Sequence, residues 1–477
     1  MRPASRRPFR QAQILAALAA LALGLGSGSG SQAETLPSAM ARAYRNNPDL
    51  NQTRASVRAR DEEVPKAAAG MRPKASISGS FGPQFSTVKI PAGRDNFGNR
   101  AYSSDEFLGY PRGATLNVSQ TLFDGGRTAN SVRQAQSSVF AARVGLRQTE
   151  QTILQTTATA YMNVLRDTAI LQLRKSNLRV LGEQLRLTRD RFDVGEVTRT
   201  DVAQAEASES QARSDVYTAE SQLKISVASY RQVVGAGPQR LEPAQSVERL
   251  LPKSLDAAVE AAQAESPAVV NAQHQIDAAE LAVKVAEAAL SPTVSATAQV
   301  GPQYDSFLGF PNTRQFSAQA TGQLNVPIYQ GGVEYAAVRQ AKEQLAQARL
   351  AADVQRDGVR VSVVTGYAQL DAARASIVSN QAAVKAAEIA LMGVREEAQV
   401  GQRTTLDVLN AQLALLNARV NLVVAQRDRV VASYAALAAV GRLSAEFLRL
   451  DTAAYEPAAH YEQVKDRWFG LDTPDGH

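Results

Sequence analysis

The sequence predicts a mixed α and β membrane protein built from two copies of one structural unit. The first observation is a repeat, because Leu122-Phe123-Asp124-Gly125-Gly126 returns 206 positions later as Ile328-Tyr329-Gln330-Gly331-Gly332. The second is that long stretches without proline, 112–237 and 328–456, stand beside short segments in which apolar and small polar residues alternate. Proline-free stretches favour long helices, two-residue alternation favours strands, and a duplication indicates two copies of the same unit.

The repeat covers most of the chain in one register. The offset of 206 persists as far as Val440-Gly441, which matches Val234-Gly235. Upstream of the strand segments the offset is 219, where Asn47-Pro48 matches Ser266-Pro267. The difference of 13 residues accumulates within 86–112, so we expect a single lengthened, cell-exterior loop there.

The N-terminus predicts export. The basic residues Arg2, Arg6, Arg7 and Arg10 precede an apolar run at 14–25, and Ser31-Gln32-Ala33 resembles a cleavage site. Residues 1–33 are therefore predicted to be a signal peptide. Its removal lowers the formal charge from +6 to about +2, which argues against a nucleic-acid partner. The chain has no cysteine, so an exported protein of this sequence has no disulfide framework.

These observations divide the chain into four parts: the signal peptide 1–33, a first repeat 34–235, a second repeat 236–441 and a C-terminal segment 442–477. Each repeat is predicted to contain a helical part, two strands and a long helical hairpin. The long limb of each hairpin, 126–193 or 332–399, would extend about 100 Å. Two shorter helices stacked end to end would lie beside it.

The tip of each hairpin is marked by the pattern Gly-x-x-Thr-x-x-Asp-Val. Glycine suits the end of a helix in the left-handed conformation, and Thr followed three residues later by Asp resembles a capping box that opens the next helix. The residues that build the two tips are Gly195, Thr198 and Asp201 in the first repeat, and Gly401, Thr404 and Asp407 in the second.

Four segments read as strands: 75–81, 115–122, 293–300 and 316–328. Each has one apolar face and one small polar face, which suits a barrel with lipid outside and water inside. Four strands cannot close a barrel, so several chains would share one; a dimer gives about 8 strands and a trimer about 12, and the larger leaves more room for a lumen. A small soluble sheet remains the alternative. No uninterrupted apolar run near 18 residues is evident, so we expect no membrane-spanning helix.

In this order, the motifs resemble the TolC family of trimeric outer-membrane channels. The residues that carry the resemblance are Leu36-x-x-Ala39, Asn47-Pro48-x-Leu50, the Gly-Gly motifs at 122–126 and 327–332, and both tips. The resemblance implies a homotrimer whose 12-strand barrel, in contact with outer-membrane lipid, continues into a periplasmic α-helical coiled-coil barrel. It also implies a passive duct that docks on a periplasmic adaptor and an inner-membrane transporter, for efflux or type I secretion. The segment 442–477 would then be periplasmic.

The family closes its periplasmic entrance near the second tip with a tyrosine, an arginine and two aspartates. Here Arg403 and Asp407 stand at the arginine and first-aspartate positions, whereas Asn410 and Ala398 replace the second aspartate and the tyrosine. The resemblance therefore predicts a constriction formed by Asp407, Arg403 and Asn410, with one carboxylate per chain. Asp407 has a simpler interpretation as a capping residue, and the two roles are compatible.

The remaining motifs have structural interpretations. Gly125, Gly126, Pro327, Gly331 and Gly332 are predicted to form the strand-to-helix junctions, and the five tip residues other than Asp407 are expected to form a docking surface for the adaptor or transporter.

The sequence lacks a phosphate-binding loop, a dinucleotide fingerprint and a nucleophile elbow. Its three histidines, His274, His460 and His477, are far apart and show no metal-ligand spacing. We therefore expect no catalytic residue, cofactor or metal. The rival interpretations are an exported adaptor and a secreted coiled-coil structural protein.

Overall fold

A computed structural model describes residues 34–94, 96–305 and 313–474. The predicted signal peptide, His477 and the last residues of the C-terminal segment lie outside this range. In the order of the chain, the helices and strands are α1 (Leu36–Asn46), α2 (Pro48–Asp61), α3 (Glu63–Ala68), β1 (Lys74–Phe81), β2 (Gln84–Arg94), β3 (Arg100–Gly109), β4 (Arg112–Phe123), α4 (Arg127–Asp193), α5 (Arg199–Val234), α6 (Leu255–Glu265), α7 (Pro267–Glu287), β5 (Thr293–Tyr304), β6 (Arg314–Asn325), α8 (Val333–Gln399), α9 (Thr405–Val440) and α10 (Pro457–Val464).

The two helical hairpins have equal dimensions. The long limbs α4 and α8 each contain 67 residues, and the return limbs α5 and α9 each contain 36. Alanine, valine and leucine line the seams between the limbs, and long runs without proline or mid-helix breaks let each limb continue for many turns. The predicted long helices are confirmed.

The end-to-end stacking of short helices is also present in both repeats. Asn47, which caps the N-terminus of α2, donates a hydrogen bond from its side chain to the Val233 carbonyl at 2.9 Å. In the second repeat Ser266 occupies the same place before α7, and the α-carbon of Ser266 lies against Gly441 at the end of α9. A β-carbon on Gly441 would come within 2.9 Å of this atom, so the glycine permits the close approach.

The strands form a four-stranded antiparallel sheet in the order β1-β4-β5-β6. Its register separates two faces. Ile77, Leu116, Val300 and Ala318 pair in one row across the sheet, and the neighbouring row consists of Ser76, Asn117, Gln299 and Gln319. One face is therefore apolar and the other is polar but uncharged along these rows, as the alternation predicted. Both outer edges of the sheet, on β1 and β6, lack a partner strand within the described chain.

The segment 86–112 is not an irregular loop. Its residues form a second sheet of two antiparallel strands, β2 and β3, which pair from Gln84↔Gly109 to Arg94↔Arg100. The first repeat therefore has four strands rather than the two we predicted. The reason is that β2 and β3 continue the pairing of β1 with β4, with a hydrogen bond from the Gly82 N–H to the Pro111 carbonyl at 3.3 Å between the two ladders.

One other expectation was wrong. Strand β6 ends at Asn325 rather than 328, because Pro327 has no backbone N–H to continue the ladder. By length and composition α9 is apolar enough to cross a membrane, a criterion that packed core helices also meet. Arg419 is the only charged residue between Asp407 and Arg427, and α9 packs along α8 through residues such as Val408 and Leu415.

The largest apolar core lies where the short helices meet α4 and the ends of α5 and α9. It includes the fully buried side chains of Met40, Tyr161, Tyr230, Leu437 and Leu443. Leu443 belongs to the C-terminal segment, which also buries Val464 of α10. This segment therefore contributes to the core of the helical region.

Candidate functional site: the hairpin tips and the strand-to-helix junctions

The two hairpin tips have nearly the same backbone. Gly195 and Gly401 follow the long helices with φ angles of +80° and +79°, a conformation that favours glycine. Val194 and Val400 precede them, each with 72% of its surface exposed. Each tip therefore presents an exposed apolar side chain beside a sharp turn.

Both return helices begin with the predicted capping box. The Thr404 N–H and hydroxyl donate to the Asp407 carboxylate at 3.0 and 2.8 Å, and the Asp407 N–H donates to the Thr404 hydroxyl at 3.2 Å. Thr198 and Asp201 make the same three contacts at 2.9, 2.6 and 3.3 Å. The capping role of both aspartates is confirmed.

These hydrogen bonds influence the ionisation of both carboxyls. The backbone N–H of Thr404, then its hydroxyl, holds the pKa of Asp407 below its usual value. For Asp201 the Thr198 hydroxyl is the largest cause of a lowered pKa. Both carboxylates are therefore charged at neutral pH.

Arg403 does not pair with Asp407 in its own chain. Its guanidinium instead donates to Glu397 at 2.8 Å, and this carboxylate raises the pKa of Arg403. The pair of Arg403 with Glu397 closes the turn between α8 and α9. Asn410 lies exposed one turn after Asp407, and Ala398 packs in the apolar cluster around Leu391.

The ion pairs that close the two tips have their basic and acidic residues in opposite order along the chain. In the first tip Arg191 pairs with Glu196 at 3.2 Å, whereas in the second Glu397, at the position of Arg191, pairs with Arg403. A second ion pair is present only in the first tip. There Arg189 pairs with Glu206 at 2.5 Å, whereas the equivalent Arg395 donates a hydrogen bond to the neutral side chain of Gln412 at 3.1 Å. The tips are therefore alike in backbone and different in charge, which makes them distinguishable to a partner.

The strand-to-helix junctions are built on glycine pairs. The φ angles of Gly125, Gly126, Gly331 and Gly332 are +66°, +82°, +70° and +86°. At Gly125 an added β-carbon would lie 2.3 Å from the Ser291 side chain, whereas at Gly331 nothing lies within 4 Å. Gly125 therefore also permits a contact between the two repeats.

Asp124 orders the first junction. Its carboxylate accepts hydrogen bonds from the Gly126 N–H at 3.1 Å and the Thr128 N–H at 2.7 Å, so it caps α4. In the second repeat Gln330 stands at this position, after Pro327 has ended β6.

Sequence reasoning missed an ionic cluster in the linker, which here means residues 235–254 between α5 and α6. Glu248 accepts hydrogen bonds from Arg429 at 2.7 Å and from Arg374 at 2.8 Å. Its carboxylate is mostly buried, and these guanidinium groups, Arg429 foremost, lower the pKa of Glu248 to about 2. No motif marks Glu248, because its partners lie 126 and 181 positions away.

Glu34 is a second residue without a sequence signal. Its carboxylate is buried, accepts a hydrogen bond from the Tyr230 hydroxyl at 2.7 Å and pairs with Arg42 at 3.3 Å. Its backbone joins Leu241 in a parallel bridge. The beginning of the first repeat is thereby fixed to the linker.

Comparison with known proteins identifies the family. The outer membrane efflux protein family matches residues 39–236 and 258–442, which together are more than half of the chain. This chain belongs to the outer membrane efflux protein family. It is 44% identical to the outer membrane efflux protein BepC of Brucella suis over 97% of this chain and 98% of that protein. It is 26% identical to the outer membrane protein TolC of Escherichia coli over 90% and 86% of the two chains.

Solved structures show the same fold. The Campylobacter jejuni CmeC outer membrane channel superposes with a TM-score of 0.72 at 16% identity, over 90% of this chain and 89% of that one. The predicted resemblance, fold class and outer-membrane location are confirmed. Family members are outer-membrane channel and efflux proteins rather than enzymes. Within the described residues, no three His, Asp or Glu side chains are grouped as metal ligands would be.

Proposed function

We propose that this family member is the outer-membrane exit duct of a tripartite efflux or type I secretion system. Three chains form one barrel of about 12 strands, and their helical hairpins continue as a tunnel into the periplasm. The duct is passive, and the hairpin tips dock on a periplasmic adaptor and an inner-membrane transporter.

The observation that carries this proposal is the open four-stranded sheet. Its apolar row of Ile77, Leu116 and Val300 suits lipid, and its row of Asn117 and Gln299 suits a water-filled lumen. In a membrane the free edges of β1 and β6 cannot remain unpaired, because no water reaches their N–H and C=O groups. A ring in which β6 of one chain pairs with β1 of the next satisfies both edges.

Cysteine pairs test the ring, because the natural chain contains no cysteine. We expect Ser78→Cys on β1, combined with a cysteine at one of Ser317, Gln319, Thr321 or Gln323 on β6, to give covalent trimers on oxidation. All four β6 positions lie on the face of Ser78, and the series samples the inter-chain register. Thr297→Cys on β5 is the control, since both edges of β5 are already paired. Equal linkage through β5, or a monodisperse monomer in mild detergent, would contradict the ring.

The tip surface is tested separately. Val194 and Val400 are exposed, and the ion pairs beside them run in opposite order along the chain, Arg191–Glu196 in the first tip and Glu397–Arg403 in the second. This difference supports two distinct contact points for the adaptor and transporter. We expect a photo-crosslinker attached to Val400→Cys to capture the adaptor in cells. The same label on Tyr217→Cys in mid-α5, where the side chain is 65% exposed, should capture much less. Equal capture at both positions would exclude tip docking.

A further inference from the structure

Three large apolar side chains stand in solvent near the end of the described chain. Trp468, Phe469 and Leu471 are 63%, 90% and 100% exposed. Trp468 is the only tryptophan in the sequence. Apolar side chains grouped this closely and this exposed usually mark a surface that meets another phase or molecule.

The segment that carries them is held in a turn. Arg467 donates to the Asp472 carbonyl at 2.6 Å and to the Phe469 carbonyl at 3.4 Å. Gly470 adopts a φ of +121°, and a β-carbon there would come within 2.6 Å of the Arg467 guanidinium. Arg467 and Gly470 therefore fix the backbone while the apolar side chains project outward.

This turn lies at the helical end of the four-stranded sheet. The Arg72 guanidinium lies 4.9 Å from the centre of the Trp468 ring and donates to the Arg467 carbonyl at 2.8 Å. Strand β1 begins at Lys74, two residues after Arg72. Since β4 ends and β5 begins at this same end of the sheet, the turn lies beside the level at which the barrel wall starts.

The surroundings have the composition of a membrane interface. At the helical end of the sheet Phe123 and Tyr329 are 49% and 75% exposed. Arg72, Lys74 and Arg467 supply three positive charges next to the turn, against the two carboxylates of Asp466 and Asp472. Tryptophan and tyrosine favour the headgroup layer, where basic side chains also meet the lipid phosphates.

We propose that the turn 467–472 is a lipid anchor whose Trp468, Phe469 and Leu471 enter the phospholipid leaflet on the helical side of the barrel. Arg72 orients Trp468 and, with Lys74, faces the lipid phosphates. The anchor rests on the outer-membrane location and on the barrel of the proposed function. It fixes the C-terminal segment to the membrane surface, a role that the barrel strands do not supply.

The single tryptophan provides the measurement. The purified full chain is reconstituted into vesicles of phosphatidylethanolamine and phosphatidylglycerol, with and without bromine on the acyl chains near the headgroups. We expect bromolipid to quench the emission of Trp468, and acrylamide in the water to quench it poorly. Phe469→Ser combined with Leu471→Ser keeps the reporter and should lose most of the bromolipid quenching.

A matched control moves the reporter away from the membrane. In a Trp468→Phe background, Tyr217→Trp on α5 places a similarly exposed ring on the helical hairpin. Its emission should respond to acrylamide and not to bromolipid. If Trp468 itself responds to acrylamide alone, the turn stands in water and the anchor is excluded. Shielding from both quenchers would place Trp468 against a second protein surface, which also overturns the proposal. Conductance in the same vesicles reports separately on the duct.

Discussion

Asp201 and Asp407 occupy the same place in the two repeats and make the same capping contacts. They differ in their neighbours, because Arg403 follows the second tip turn where Val197 follows the first. Their capping contributions should therefore be similar. A difference between them in conduction would come from these neighbours or from where each tip lies relative to the axis of the proposed trimer.

We predict that Asp407→Ala weakens cation selectivity and block by multivalent cations in planar bilayers, because a ring of carboxylates at a constriction attracts cations. Asp407→Asn separates charge from capping, since its amide oxygen can still accept from the Thr404 N–H. It should lose selectivity with little loss of stability.

Asp201→Asn is the matched control and should leave selectivity unchanged. Equal effects of the two asparagine substitutions, or none from either, would show that the constriction does not lie at the second tip.

Gly125 and Gly331 provide a second comparison between repeats. We predict that both alanine variants are destabilised by about 1–2 kcal/mol through left-handed backbone strain. Gly125→Ala should lose about 1–3 kcal/mol more, because its β-carbon would overlap Ser291. Thermal unfolding followed by circular dichroism in detergent measures this difference. Equal destabilisation would show that Ser291 moves aside without cost.

At the scale of elements, the β2–β3 hairpin departs most from the sequence interpretation. The 13 additional residues in the first repeat extend a ladder instead of forming a flexible loop. Because the hairpin lies beyond the four-stranded sheet and most of its side chains are exposed, it contributes little to the core.

We predict that the hairpin can be shortened in pairs. Replacing residues 90–103 with Asn-Gly retains the Lys89↔Ser104 pair and supplies a two-residue turn. Trimer yield and transport should remain at the level of the natural chain.

Deleting 90–94 alone is the control, since it removes only the last five residues of β2 and leaves their partners on β3 unpaired. It should reduce the yield of folded trimer. Failure of the paired deletion to fold would show that the hairpin supports assembly.

At the scale of the whole molecule, the linker between the repeats ties them together. The hydroxyl of buried Tyr161 lies 2.7 Å from the Glu34 and Glu242 carbonyls, and Tyr367, its counterpart in the second repeat, donates to Pro252 at 2.9 Å. Burial raises the pKa of Tyr161 to about 12, so it remains a donor at physiological pH. Glu248 adds the ionic contact to α8 and α9.

The Glu248 cluster predicts a pH dependence. Its pKa is lowered from 4.5 in a model peptide to about 2, so its contribution is fully present above pH 4.5. That contribution is lost as the pH falls from 4.5 towards 2. We expect Glu248→Gln to lower the melting temperature at neutral pH and to have little effect near the lower limit of this window. A difference that does not change with pH would contradict the ionic role.

The sequence by itself determined the duplication, the helix lengths and the tips, because each depends on local chemistry. The absence of proline allows α4 and α8 to continue, glycine permits the left-handed turns, and Thr198 with Asp201 forms a cap from residues three apart. The alternation along β1, β5 and β6 likewise fixes which side chains share a face. The division of the chain at 235 and 441 stays a prediction, as does the gate at Asp407 and Arg403.

Only the tertiary structure decided the contacts between residues that are distant in the chain. Glu248 with Arg374 and Arg429, Glu34 with Tyr230, and Trp468 with Arg72 have no spacing that a sequence pattern can register. The pairing of β2 with β3 depended on whether the added residues would extend a ladder already formed by β1 and β4. The physical reason is the same in each case: these interactions become favourable only after packing has brought their partners together, so no single segment encodes them.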